Sequence, residues 1–84
     1  MEELVKDLTA YYQGRPLDIR GQVDVADIIL MYNNNSNDLG VDAPVILRTE
    51  IRIEGVDYPR DYDPNCLIIY LKKDSNAILE VQIG

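Results

Sequence analysis

The sequence predicts an α+β domain in which one N-terminal helix packs on an antiparallel sheet of about five strands. Three observations lead there. Residues 2 to 13 place Leu4, Leu8, Tyr11 and Tyr12 at helical spacing. The run from Val45 to Ile53 alternates apolar and charged residues with the period of two that marks a strand wet on one side. Apolar runs at Leu67–Leu71 and Leu79–Ile83, joined by the polar turn Asp74-Ser75-Asn76, have the form of a closing hairpin. The length of 84 residues leaves room for one domain, spanning residues 1–84. With 46% apolar and 27% charged residues, the composition is that of a folding chain and not of a disordered one.

The first helix is favoured by Glu2 and Glu3, which oppose the positive end of the helix dipole, and it stops at Gly14, with Pro16 preventing resumption. Leu17 and Ile19 then alternate with Asp18 and Arg20, a short strand ending at Gly21. Residues 23 to 32 admit two assignments. Val25, Ile28, Ile29 and Tyr32 fit one helical face with Asp24 as N-cap, yet the run Ile28–Tyr32 is too apolar all round for a surface helix. The strand is preferred on that ground, and the tract Asn33-Asn34-Asn35-Ser36-Asn37-Asp38 then becomes a long hairpin loop leading to Pro44. In the strand that follows, Val45, Leu47, Thr49, Ile51 and Ile53 are expected on the buried side, with Arg48, Glu50, Arg52 and Glu54 in water. Gly55 ends it, and a second loop runs from Val56 to Asn65. Leu79, Val81 and Ile83 are expected to face inward on the last strand.

Charge limits the function more than any motif does. Fifteen Asp and Glu against eight Lys and Arg leave a formal charge of −7, so a phosphate backbone is repelled and direct nucleic-acid binding is not expected. Histidine is absent and there is one cysteine, which removes the commonest general base and the usual zinc ligand sets. Two oxygen-rich segments fail as calcium loops. Asp38 stands where the first needs glycine, and Cys66 where the second does. The chain is therefore expected to be no enzyme and to need no cofactor or metal. The acidic start Met1-Glu2-Glu3 and the lack of a long apolar run imply neither a signal peptide nor a membrane span, and a cytoplasmic protein is expected. Cys66, which opens an apolar run, is expected as a small buried hydrophobe.

The carboxylates are unevenly spread. Asp57, Asp61 and Asp63 surround Tyr58 and Tyr62 in a loop stiffened by Pro59 and Pro64, a combination suited to holding a basic partner. Asp24 and Asp27 form a second acidic patch. Carboxylates two residues apart on an extended chain have a spacing that can imitate nucleic-acid phosphates. The plain alternative is that the tyrosines fold back over the sheet and the acids are simply solvated.

In size, acidity and order of elements the chain resembles the small phage-encoded inhibitors of nucleic-acid enzymes, most nearly the uracil-DNA glycosylase inhibitor family. The residues that carry the likeness are the N-terminal helix, Leu17 to Arg20, Asp27-Ile28-Ile29-Leu30, Val45-Ile46-Leu47-Arg48-Thr49 and the hairpin from Cys66 to Ile83. Anti-CRISPR proteins are similar more loosely. The resemblance implies a DNA mimic that occupies the basic groove of a host enzyme. No contact residue is carried over, since Arg20, Gly21 and Gln22 stand where the family presents acid. A second class of function, a non-enzymatic interaction module such as an immunity protein or a homodimer joined through the edge strand Leu79–Ile83, is also consistent with the sequence.

Overall fold

A computed structural model describes residues 2–17, 25–40, 42–59 and 62–84. Two helices, α1 (Glu2–Tyr12) and α2 (Val25–Leu39), precede three strands, β1 (Arg48–Ile53), β2 (Cys66–Leu71) and β3 (Ile78–Ile83). The sheet order is β1-β2-β3, with β1 parallel to β2 and β2 antiparallel to β3. The class is α+β, but the architecture corrects the expectation of one helix on about five antiparallel strands: among the described residues there are two helices and a mixed three-stranded sheet.

The largest correction is α2. Residues 28–32 are helical, and the helix runs on through the asparagine tract to Leu39. Burial explains why. Ile28 and Tyr32, four residues apart, enter the core, whereas Leu30 between them is 59% exposed, so the run is not apolar all round in its environment. The Ser36 hydroxyl donates back to the Asn33 carbonyl at 3.0 Å, a local bond that keeps a polar side chain satisfied within a helix. Gly40, at φ 66°, ends the helix in the left-handed conformation.

The other hairpin is as expected, with one adjustment. A register irregularity between Tyr70 and Leu71 shifts the phase of β3, so Ile78 and Val81 are buried while Leu79 is only half-buried. Asp74, in the turn before β3, takes φ 64°, a conformation that Asp tolerates. The short strand expected at Leu17–Arg20 falls partly outside the described residues. What is described is a ladder just before it: Gly14 N–H donates to the Ile78 carbonyl, Ile78 N–H to the Arg15 carbonyl and Leu17 N–H to the Asn76 carbonyl, each at 2.8 Å. An isolated bridge joins Pro16 to Ala77 within it.

The core lies between the helices and one face of the sheet. Leu4, Leu8 and Tyr12 of α1, Ile28 and Tyr32 of α2, and Leu67, Ile69, Leu71, Ile78 and Val81 of the sheet form one buried cluster. Tyr11, placed on the apolar face by its spacing, instead lies outside it, with the Arg15 guanidinium 4.3 Å from its ring centre. Each fully buried Leu or Ile contributes roughly 1.5–3 kcal/mol relative to exposure. Cys66 and Ile68 are buried too, on the opposite face of β2, and burial pushes the Cys66 thiol pKa up.

α1 also closes one edge of the sheet. The Thr9 hydroxyl accepts the Val81 N–H at 3.1 Å and donates to the Val81 carbonyl at 3.2 Å, occupying both outward-pointing groups of that residue. The edge Leu79–Ile83, the expected site of dimer pairing, thus has its central residue bonded to the chain's own helix. Replacing Thr9 by Val keeps the shape and removes the hydroxyl, leaving both groups without it. We expect Thr9→Val to lower stability by about 1–3 kcal/mol and Thr9→Ser to retain most of it, as measured by urea unfolding.

Candidate functional site

The parallel pairing of β1 with β2 requires a connection that returns to the same end of the sheet, and residues 54–65 supply it. In register, Thr49, Ile51 and Ile53 share a face with Leu67, Ile69 and Leu71, the helix side. Arg48, Glu50 and Arg52 share the other face with Cys66, Ile68 and Tyr70. The crossover is tied to that second face by its aromatic and acidic residues. These are the residues that the sequence marks as a binding loop.

Tyr58 accepts the Ile53 N–H on its hydroxyl at 2.8 Å, and its ring lies 5.2 Å from the Arg52 guanidinium carbon. Asp63 accepts from Arg48 Nε at 2.8 Å and from the Asn65 backbone N–H at 2.9 Å. The Arg48 bond, followed by the Asn65 bond, holds its carboxyl below the usual carboxylate range. Tyr62 keeps its ring exposed, but the ring lies so close to Gly84 that a Cβ there would meet it at 2.7 Å. Asp57 is exposed on the crossover. Asp61 lies outside the described residues, as does Asp24.

Asp27 is in the first turn of α2, and its backbone carbonyl accepts from the Tyr12 hydroxyl at 3.3 Å. It belongs to the helical layer, whereas Asp63 belongs to the opposite side of the sheet. The structure does not bring those two acids of the expected patches onto one surface. Within the loop itself, Tyr58 and Asp63 hold the crossover to the sheet, and Asp57 and Tyr62 are the described members most open to solvent.

The second cation of β1 is engaged as well. Arg52 Nη2 donates to Glu50 at 3.0 Å and Nη1 to the Tyr70 hydroxyl at 3.3 Å, while its buried Nε has no hydrogen-bond partner. Among the described residues these two ion pairs, Arg48–Asp63 and Arg52–Glu50, are the salt bridges present. Asp42, Glu54 and Asp57, which flank β1 in sequence, are exposed and take part in neither.

Sequence reasoning missed the outer edge of β1. The Arg48 N–H donates to the Asn65 carbonyl and the Glu54 N–H to the Leu71 carbonyl, so the even-numbered residues point toward β2. Thr49 and Ile51 therefore direct their N–H and C=O groups away from the sheet, at an edge that has no neighbouring strand among the described residues. Ile51 and Ile53, expected to be buried, are 47% and 44% exposed, because the helices pack over β2 and β3 and leave the β1 margin bare. The alternation from Val45 to Ile53 was the available signal, but it identifies a face and not a sheet edge.

Among the described residues no group of three or more His, Cys, Asp or Glu side chains is placed to hold a metal ion, and no helix is long and apolar enough to cross a membrane.

The Asp63 bond yields a pH test. Because its folded pKa is depressed, its contribution to stability is fully present above the unfolded carboxylate pKa and is lost as pH falls through the lower folded value. We expect a carbon-detected NMR titration to place the Asp63 midpoint below the ordinary carboxylate range, and Arg48→Ala to move it upward.

No protein-family model matches the chain, and neither a curated protein nor a solved structure matches it.

Proposed function

We propose that this chain is a small non-catalytic inhibitor that binds a basic surface on a nucleic-acid-acting enzyme and excludes the nucleic acid from it. The observation that supports this is the unbalanced charge: a formal −7, with the two described ion pairs both spent on the cations of β1. Exposed carboxylates at Asp38, Asp42, Glu54 and Asp57 remain to set a negative field around the molecule. Such a field steers association with a cationic groove and repels nucleic acid itself. A domain this small, with its core filled by Leu, Ile and Tyr, needs no chemistry of its own to act in that way.

The contact surface in this proposal is the exposed side of the crossover, with Asp57 and Tyr62 in contact with the partner and Asp61 contributing charge. Tyr58 and Asp63 hold the loop in place, and Asp27, with Asp24, adds long-range attraction. The mode of action is competition, so duplex DNA or structured RNA is displaced by the protein and displaces it in turn.

The test is inhibition of a panel of bacterial glycosylases, nucleases and guide-directed nucleases by the full chain, with duplex DNA as competitor. We expect competitive inhibition of at least one enzyme, with an association rate that falls steeply between low and high salt. The double variant Asp57→Lys, Asp61→Lys should weaken it by about tenfold or more, whereas Asp7→Lys on α1 should have little effect. Inhibition that is indifferent to DNA concentration and to salt would overturn the mechanism.

A further inference from the structure

The sheet has two edges, and the chain treats them differently. At β3, Thr9 occupies both outward groups of Val81. At β1, the two ends are closed and the middle is open. The Val45 carbonyl accepts from Asn65 Nδ2 at 2.7 Å, the Leu47 N–H donates to the Asn65 carbonyl at 2.8 Å, and the Ile53 N–H is taken by the Tyr58 hydroxyl. Between these closures lie the outward N–H and C=O groups of Thr49 and Ile51, about 6.6–6.8 Å apart along the strand. No proline, bulge or lysine guards this window, although these are the common means of blocking an edge.

We infer that the Thr49–Ile51 edge accepts a short extended segment of a basic partner protein, which adds to the sheet as a fourth strand beside β1. The inference rests on the proposal that the partner is basic, and it names the part of that partner which is held. In an antiparallel addition, the residues that exchange hydrogen bonds with Thr49 and Ile51 have side chains on the same face as theirs, the helix side. There they meet the exposed flanks of Ile51 and Ile53, so they are apolar. The alternate residues lie on the opposite face, where Arg48 and Arg52 are already paired with Asp63 and Glu50, and past the strand end Glu54 and Asp57 are exposed and take part in neither pair. The alternate residues of the segment are basic. The expected segment therefore alternates Lys or Arg with aliphatic residues.

Charge also selects against the simplest competitor, a second copy of this chain. Pairing two β1 edges brings together two molecules that each carry −7, with Glu54 and Asp57 on both. The cations of β1 do not offset this, since Arg48 is held by Asp63 and Arg52 by Glu50.

The probe is an acetylated, amidated heptapeptide alternating Lys and Val, compared with one alternating Lys and Pro, which has the same charge but lacks the N–H groups needed at the apolar positions. Binding is followed by amide chemical shifts and hydrogen exchange on the full chain at low salt. We expect the Lys-Val peptide to shift the Thr49 and Ile51 amides and slow their exchange, and the Lys-Pro peptide to bind about tenfold more weakly or worse. Ile51→Pro removes an outward N–H without touching the β1–β2 ladder, and Ile51→Lys places a cation at the edge; each should abolish the preference for Lys-Val. The second variant covers the case in which the first does not fold. Equal binding of both peptides, or shifts confined to Asp57 and its neighbours, would overturn the strand addition and leave the basic-partner proposal standing. Binding of neither would overturn both. A concentration-dependent dimer by sedimentation, with exchange protection at Thr49 and Ile51, would assign the edge to a second copy and equally overturn the inference.

Discussion

The central strand β2 is apolar on both faces, and the architecture follows from the need to cover each. Leu67, Ile69 and Leu71 face one way, Cys66 and Ile68 the other, and all five are buried. Among the described residues there is no second sheet to pack against, so cover for these faces has to come from other parts of the chain. The helices α1 and α2 cover one face. On the other side the crossover is fastened to β1, by Tyr58 to Arg52 and Ile53 and by Asp63 to Arg48. The pairing of β1 with β2 is parallel, so the connection between them has to travel back along the sheet before β2 begins.

The described tyrosines and carboxylates of the crossover divide into two kinds. Tyr58 and Asp63 fix the crossover to β1, and their polar atoms are taken by backbone N–H groups and by arginine. Asp57 and Tyr62 are exposed to solvent. The same composition thus serves both attachment and display.

Much of the fold was legible wherever local pattern and burial agree. The spacing of Leu4, Leu8 and Tyr12 defined α1, and the turn at Asp74-Ser75-Asn76 defined the β2–β3 hairpin. Cys66 is the small buried residue that its position in an apolar run suggests. The failures have particular causes. Ile28–Tyr32 reads as a strand because periodicity cannot separate a short apolar run in a sheet from one in a helix, and only the exposure of Leu30 decides it. Strand direction is a property of the connection, so the parallel pairing of β1 was invisible in its own residues. The roles of Tyr58 and Asp63 depend on their contacts with Arg52 and Arg48, which spacing along the chain does not reveal.

The clasp between Thr9 and Val81 joins residues 72 positions apart in sequence. At ordinary translation rates, about 4 to 14 s pass between the synthesis of the helix and that of the strand it docks on. Throughout that interval Leu4, Leu8 and Tyr12 have no sheet to lie on, and an isolated helix of this length is marginal in water. The apolar face of α1 therefore gains its packing surface only once β3 has been made, so this part of the core closes last.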